Sequence, residues 1–156
     1  VRIKGGFYLP NNARENNFKP TATGKANFSI NKPSEIALKD NQFMMMTIRT
    51  HDQYNTTIYG LNDRYRGVLN ERRVIFMNAD DMKNLGLQKL DVVDLTSHFK
   101  NEKREAKGFL VIPYNIPKQC TATYFPEANV LVPLKSKADI SNTPTSKTVI
   151  ITIKKR

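Results

Sequence analysis

The sequence predicts a mainly β fold: a closed or nearly closed β-barrel with one or two short helices and an irregular N-terminal arm. Three observations support this prediction. Short strand-like segments recur from residue 42 to the C-terminus, only one stretch carries a clear helix signal, and long connections separate the strands. A doubly wound sheet would need a helix between each pair of strands, so the missing helices favour a barrel.

The first 40 residues are predicted to be an arm or linker from a preceding domain, and residues 41–156 are predicted to be the barrel. The arm is rich in Asn, Lys, Pro, Gly and Thr and has little periodic hydrophobicity. Within it, "KANFSI" (residues 25–30) is a candidate short strand. The opening "VRIKGGFYLPNNAREN" lacks an initial Met, and we expect the chain to be a fragment or an excised domain.

Six segments have the apolar density or the alternation expected of strands. They are "QFMMMTIR" (42–49), "RRVIFM" (72–77), "DVVDLTSHF" (91–99), "FLVIPY" (109–114), "VLVPL" (130–134) and "KTVIITIKK" (147–155). In the third, Val93, Leu95 and Ser97 share one side. The polar stretch "KNEKREAKG" (100–108) is predicted to be a hairpin-type connection. The last segment is β-branched, which is typical of a central strand.

The segment "NADDMKNLGL" (78–87) predicts one helix of about two turns. Asn78 can cap the first turn with its side-chain oxygen, and the two aspartates that follow sit at the positive end of the helix dipole. Met82 and Leu85 share a face. Gly86 provides the left-handed residue that ends the helix.

The charge and the cysteine content limit the classes of function. The net charge of +11 and the pI of about 9.8 permit a nucleic acid, a membrane surface or a phosphorylated cofactor as partner. A solvated basic surface explains the same charge, because the basic residues are spread along the chain. No apolar run is long enough to cross a bilayer as a helix. Cys120 is the only cysteine, which excludes an internal disulfide and fits a reducing, cytoplasmic location. His51 and His98 lack metal-ligand spacing, so no metal site is predicted.

Three polar clusters lie beside predicted strands. They are "TIRTHDQYNTTIYGLNDRYRG" (47–67), "IPKQCTATYFPEANVLVP" (116–133) and "ADISNTPTSKT" (138–148). In a barrel, loops at strand ends can converge on one rim and suit a ligand with many acceptors, such as a pyrophosphate or a purine. The sequence has no GxGxxG or GxxxxGK[ST] motif, so side chains and irregular backbone would have to hold a nucleotide. Taken singly, each cluster is also what hydrogen-bonded turns would show.

Four ordered stretches carry a resemblance to a known family. They are "HDQYNTTIYGLNDRYRGV", "RRVIFMNADD", "FPEANVLVPL" and "SNTPTSK". From about Gly6 to Ile153 the chain resembles the C-terminal domain of molybdopterin oxidoreductases, and the branch it is most similar to is the formate dehydrogenase alpha-subunit-like proteins. The arm "GGFYLPNNAREN…GKANF" resembles the segment that precedes this domain in the family.

The resemblance implies a double-psi β-barrel that binds molybdopterin guanine dinucleotide, in its bis form, with molybdenum or tungsten. It also implies that the metal-adjacent residue and any iron–sulfur cluster belong to upstream domains of the same polypeptide. This chain would then have no catalytic residue of its own and no turnover by itself. Those upstream domains are the expected partners, and neither a membrane nor a nucleic acid is expected.

The residues that the resemblance implies for cofactor binding come from the three clusters. By motif position they are Arg49, Thr50, His51, Gln53, Tyr54, Asn55, Asn129, Asn142, Ser146 and Lys147. Arginine can contact a phosphate or a pterin edge with two N–H groups, and amides and hydroxyls can both donate and accept. Lys147 adds a positive charge, while Asp52 would orient a neighbour or meet a purine N–H. Tyr54 is equally well explained by packing.

Two other classes of function remain open from the sequence. A nucleic-acid-binding barrel is permitted by the charge, with Tyr59, Tyr65 and Arg66 available for stacking on bases. A protein-interaction barrel without a ligand would not need Arg49, Asn129 or Lys147.

Overall fold

The computed structural model describes residues 2–33 and 35–156; Val1 and Ser34, both inside the predicted arm, lie outside the described residues. The described part contains eight strands, one α-helix and one 3-10 helix. In chain order they are β1 (Phe43–Ile48), β2 (Gln53–Tyr54), β3 (Thr57–Ile58), β4 (Val74–Met77), α1 (Ala79–Asn84), β5 (Val92–Phe99), β6 (Glu102–Pro113), β7 (Cys120–Tyr124), the 3-10 helix (Asn129–Leu131) and β8 (Val149–Lys155).

Six strands close into a barrel in the order β1-β7-β4-β6-β5-β8, while β2 and β3 form a separate two-stranded sheet. β1 pairs parallel with β7, and β4 pairs parallel with β6. The other neighbouring strands of the barrel are antiparallel. The predicted mainly β barrel with few helices is therefore confirmed.

The interior of the barrel holds the main hydrophobic core, and a second cluster packs on the outer side of β4. Ile75 and Met77 belong to the interior, whereas Val74 and Phe76 belong to the second cluster with Tyr124. Because successive side chains of a strand point to opposite faces, β4 is buried on both. The second cluster connects the barrel wall to the polar loop before β4.

Several predicted elements are confirmed in the structure. β1, β4 and β8 lie within their predicted segments, and Val93, Leu95 and Ser97 of β5 are all buried as predicted. Asn78 caps α1, since its side-chain oxygen accepts a hydrogen bond from the backbone N–H of Asp80 at 2.9 Å. Gly86 follows the helix with a φ of +65°, the left-handed conformation predicted for it.

One barrel strand was missed. Cys120–Tyr124 forms β7, although the sequence places it inside the polar stretch 116–133. "CTATY" has no aliphatic residue larger than alanine, so it carries little strand signal. Its threonines 121 and 123 are nevertheless buried, at 1 % and 0 % exposure, and β-branched threonine fits a pleated surface.

The predicted strand "VLVPL" (130–134) is wrong. The 3-10 helix (Asn129–Leu131) ends within this segment and a turn follows, and Leu131 and Val132 are both buried in the interior core. A strand would point two successive side chains to opposite faces. The apolar run instead covers part of the barrel core from a loop.

The prediction that the polar stretch "KNEKREAKG" (100–108) is a connection is wrong. β6 begins at Glu102, so most of this stretch belongs to the strand. The turn is confined to Lys100 and Asn101, and Lys100 has a φ of +53°. Its polar residues belong to a strand with one side largely in solvent. The candidate strand "KANFSI" is also wrong: residues 25–30 are exposed and form no strand.

Contacts divide the chain into two compact units, one up to Ile36 and one from Ala37 to Arg156. The described residues of the first unit form turns without a helix or a strand. Local hydrogen bonds, such as that from the Tyr8 hydroxyl to Glu15 at 2.5 Å, hold these turns. That the unit is a linker from a preceding domain stays a prediction.

None of the helices in the described residues is long and apolar enough to span a membrane.

Candidate functional site

The polar loops leave the barrel at one end. Ile48, at the end of β1, pairs with Tyr124, at the end of β7. Met45 of β1 pairs with Val149, which begins β8. Residues 49–58, 125–133 and 138–148 therefore all start or finish at one edge of the barrel wall. We call this edge the Arg49 end.

Hydrogen bonds at the base of the loops fix the first loop beside the other two. The backbone N–H of Thr47 donates to the carbonyl of Ser146 at 2.9 Å. The Lys147 ammonium group donates to the carbonyl of Thr47. On the other side, the N–H of Phe125 donates to the carbonyl of Ile48 at 2.8 Å. The three polar loops that the sequence predicts to meet at one end of the barrel are thus held together at their bases by these hydrogen bonds.

The ten residues expected to bind a cofactor divide by exposure. Seven have exposed side chains: Arg49, His51, Tyr54, Asn55, Asn129, Asn142 and Lys147. Ser146 is partly buried, while Thr50 and Gln53 are buried at 4 % and 8 % exposure. The exposed side chains are available to a ligand, and the buried ones already have partners within the protein.

Gln53 uses both ends of its amide inside the protein. Its nitrogen donates to the carbonyls of Phe125 at 2.7 Å and Asn55 at 2.9 Å. Its oxygen accepts from the Arg72 guanidinium at 3.0 Å and from the N–H of Thr50 at 3.3 Å. Gln53 therefore shapes the first loop and ties it to the segment after β7.

Two of the predicted cofactor-binding residues, Asn129 and Asn142, form hydrogen bonds only within their own loops, among the residues that the structure describes. Asn129 begins the 3-10 helix, and its N–H donates to the carbonyl of Pro126 at 2.9 Å. The hydrogen bonds of Asn142, which has a φ of +55°, stay within its own loop. In the part of the chain that the structure describes, neither asparagine bonds to Arg49 or Lys147. They share the Arg49 end by loop position only.

A cavity of about 350 Å³ opens at the Arg49 end. Its guanidinium groups come from Arg49 and Arg66. Arg49 donates to the side-chain oxygen of Asn55 at 3.1 Å, and Arg66 donates to the carbonyl of Arg49 at 3.3 Å. The rings of His51 and Tyr65 lie 4.2 Å apart between centroids. The cavity is lined by Arg49, Thr50, His51, Tyr65, Arg66 and Tyr114. Such a lining suits an anion attached to a flat or polar group.

The charge of Arg66 is held in place by a buried carboxylate. Asp63 is fully buried, and one of its oxygens accepts from Arg66 at 2.5 Å and from the Tyr124 hydroxyl at 2.8 Å. Burial alone would raise the pKa of Asp63, but these two donors outweigh it and hold the pKa below its usual range. Burial and the ionised Asp63 together raise the pKa of Tyr124, which stays a protonated donor.

Asp63 also changes the balance of charge in the cavity. It neutralises much of the Arg66 charge, since the two groups form an ion pair. Arg49 has no carboxylate partner among the described residues. Arg49 is therefore the stronger anchor for an anion.

Residues 43–150 match the family model of the "Molydopterin dinucleotide binding domain". The chain belongs to this family. The match spans almost the whole barrel, including all three polar loops. The family match assigns the class of ligand, a molybdopterin dinucleotide, and the two guanidinium groups of the cavity are compatible with its negative charge.

Curated relatives of this dinucleotide-binding domain include oxidoreductases. The chain is 46 % identical over 156 residues to an "uncharacterized oxidoreductase" of Mycobacterium tuberculosis, covering 97 % of this chain and 20 % of that protein. The same figures hold for a protein of that description in Mycobacterium bovis. It is 37 % identical over 157 residues to "Protein YdeP" of Escherichia coli, covering 96 % of this chain and 20 % of that protein. The chain therefore spans about a fifth of the length of these relatives.

Sequence reasoning missed several residues that build the domain's candidate site. The sequence places Asp63 in a polar cluster and Arg72 at the start of a strand, and it indicates no role in the site for either residue. Arg72 is 7 % exposed and pairs with Glu127, which lies 55 positions further along the chain. The pair "RR" before an apolar strand does not indicate which arginine is buried, because the partner of Arg72 is set by the topology of the fold. Spacing in the sequence does not reveal that partner.

No group of three or more His, Cys, Asp or Glu side chains in the described residues is arranged to hold a metal ion.

Proposed function

We propose that the Arg49 end holds molybdopterin guanine dinucleotide, in the bis form, within a molybdenum or tungsten oxidoreductase of the formate dehydrogenase-like kind. The observation that carries the proposal is the cavity lined by Arg49 and Arg66 in a member of a dinucleotide-binding family. The pterin, the diphosphate and the guanine are joined in a chain, so the ligand needs donors over an extended surface. Loops meeting at one end of a barrel provide such a surface.

The residues at the Arg49 end fit this group by their chemistry. The dinucleotide carries negative phosphates, and a guanidinium binds phosphate with two parallel N–H groups. The domain lacks a glycine-rich phosphate loop, so this role falls to side chains. Arg49 is exposed, is oriented by Asn55, and lies beside a second guanidinium. Its contact with Asn55 orders the arginine before a ligand arrives.

Each group at this end has a task that its chemistry supports. Arg49, with Arg66 behind it, would bind phosphate; Asn55 and Asn129 would donate to and accept from ring atoms; Lys147 would add positive charge. His51 and Tyr65 would present ring surface to a flat part of the ligand. When bound, the metal held by the pterins supplies the two-electron redox chemistry. The chain itself binds and orients the group.

The formate dehydrogenase-like assignment concerns the whole protein and rests on the sequence resemblance. The relatives' description as oxidoreductases supports the broader class. We place the metal-adjacent residue and any iron–sulfur cluster in upstream domains of the same polypeptide. We also propose a cytoplasmic location, and we expect this chain alone to have no turnover.

The test is the cofactor content of the complete protein that carries these residues. Molybdopterin and guanine nucleotide are released from the purified protein and quantified per polypeptide. Arg49→Ala removes a charge-assisted contact contributing about 1.5–3 kcal/mol, so cofactor retention should fall roughly ten- to hundredfold. Arg73→Ala is the matched control, since Arg73 is an exposed arginine that does not line the cavity. Wild-type loading of Arg49→Ala would refute the role of Arg49.

A nucleic-acid-binding barrel is the competing class, and one feature of the structure favours it. Tyr59 and Tyr65 are 75 % and 63 % exposed, and the Arg64 guanidinium lies 5.1 Å from the Tyr65 ring centre. A gel shift with random oligonucleotides separates the two classes. Nucleic-acid binding would weaken steeply as salt rises. We expect no shift at physiological salt.

A further inference from the structure

One buried arginine connects two of the loops at the Arg49 end. Arg72 precedes β4 and is 7 % exposed. Its guanidinium forms two hydrogen bonds with the Glu127 carboxylate, at 2.6 Å and 3.1 Å. It also donates to the Thr50 hydroxyl at 3.2 Å and to the Gln53 side-chain oxygen at 3.0 Å. A fifth bond, of 3.0 Å, goes to the carbonyl of Phe125.

These acceptors belong to two separate loops. Thr50 and Gln53 lie in the first loop, after β1, whereas Phe125 and Glu127 follow β7. The planar guanidinium is therefore shared between two segments that are about 75 positions apart in the sequence. Its position between them sets how far apart they stand and how they are rotated.

We propose that Arg72 is a positioning residue that fixes the spacing of the two loops which carry Arg49 and Asn129. The inference rests on the proposed function, because it assigns those loops to opposite sides of one ligand. Arg72 does not line the cavity. It acts through Thr50, Gln53 and Glu127, which are already bonded before any ligand binds.

The physical argument is preorganisation. A ligand that spans two loops loses affinity when the loops must first be ordered, and supporting hydrogen bonds remove that cost. A buried ion pair adds little to fold stability when compared with apolar packing. The bidentate pair of Arg72 with Glu127 is therefore better explained by the geometry it imposes than by the stability it provides.

A lysine cannot replace this arginine. An ammonium group has three donors at a single point, whereas the guanidinium presents a rigid planar fork. Arg72 makes five hydrogen bonds to four residues, so Arg72→Lys would keep the charge and lose the simultaneous connection of both loops. Glu127→Gln keeps the shape of the partner and removes its charge.

The experiment measures cofactor release and loop exchange in the complete, cofactor-loaded protein. The variants are Arg72→Met, Arg72→Lys and Glu127→Gln. Ile151→Val, a mild change in the barrel core, is the control for lost stability. We measure the rate of molybdopterin release at constant temperature, the melting temperature of each cofactor-free protein, and hydrogen–deuterium exchange of residues 49–55 and 125–129.

The expected result separates positioning from stability. Arg72→Met should release the cofactor roughly ten- to hundredfold faster than wild type, and Arg72→Lys and Glu127→Gln should do so to a smaller degree. Exchange should rise in both loops together. Ile151→Val should change the melting temperature without changing the rate of cofactor release or the hydrogen–deuterium exchange of the two loops.

The opposite results overturn the inference. If Arg72→Met does not fold, wild-type release rates and exchange in both Arg72→Lys and Glu127→Gln refute it. If Arg72→Met folds, release no faster than that of Ile151→Val refutes it. A wild-type protein that contains no pterin dinucleotide refutes the proposed function instead, and in that case the exchange of the two loops still decides whether Arg72 holds them together.

Discussion

Removal of the Asp63 carboxylate should destabilise the barrel by about 3 kcal/mol. The prediction concerns Asp63→Ala, which leaves the Arg66 guanidinium without its counter-ion and the buried Tyr124 hydroxyl without an acceptor. Each hydrogen bond to a charged group contributes about 1.5–3 kcal/mol, and breaking a buried ion pair costs about 3–5 kcal/mol. Two features place the expected value at the lower end. The second oxygen of Asp63 is already buried without a partner, and the Arg66 side chain is 27 % exposed.

Urea unfolding of the purified chain measures this loss. Circular dichroism is a suitable signal, because the chain has no tryptophan. Asp139→Ala is the control, since Asp139 is exposed in a loop and should change stability by less than about 0.5 kcal/mol. A loss below about 1 kcal/mol for Asp63→Ala, at an unchanged m-value, would refute the reasoning about the buried pair.

The same carboxylate predicts how stability depends on pH. The folded-state pKa of Asp63 lies below its ordinary value of 3.8. The stability contributed by the ionised group is therefore fully present above about pH 4, and it is lost as the pH falls through the folded-state pKa. Asp63→Asn has no such group to protonate. Its melting temperature should fall less steeply below pH 4 than that of the wild type, and an equal slope would contradict the assignment.

Three further predictions test other parts of the structure. Leu131→Ala should cost about 2–5 kcal/mol in urea unfolding, because the side chain is fully buried in the core, and a cost below 1 kcal/mol would argue against that packing. Asn78→Ala should cost about 1 kcal/mol or more, because it removes the helix cap and the bond from the side-chain amide to the carbonyl of Ile116, whereas Asn78→Ser keeps a capping oxygen and should cost less; equal losses would refute the capping role. His98 should titrate below pH 6.5 in an NMR experiment, since burial and then Lys103 disfavour its charged form, and a pKa at or above 6.5 would contradict this.

The elements that the sequence predicts well are those with a strong local signal. The apolar run of β1, the alternation of β5 and the capped helix α1 each follow from neighbouring residues. β7 is different, because its threonines become buried only when β7 pairs with β1 and β4, which are distant in the sequence. The run "VLV" shows the converse error: its apolar side chains cover a barrel core from a loop, and composition does not distinguish that role from a strand.

The meeting of the polar loops at one end of the barrel was predictable from the sequence, whereas the bonding within those loops was not. Arg49 and Lys147 are exposed at this end, and their role in binding a ligand stays a prediction. Gln53 and Thr50, in contrast, are bonded within the protein by Arg72 and by backbone groups. Whether a polar side chain faces a ligand or a neighbouring loop depends on contacts between distant segments, which a single sequence does not contain.

A density map of the complete protein with its cofactor bound tests the central claim most directly. The claim predicts the dinucleotide across the Arg49 end, with a phosphate oxygen about 2.7–2.9 Å from the Arg49 guanidinium. A dinucleotide bound at the other end of the barrel, near the cavity lined by Asp40, Asp81 and Lys118, would contradict it.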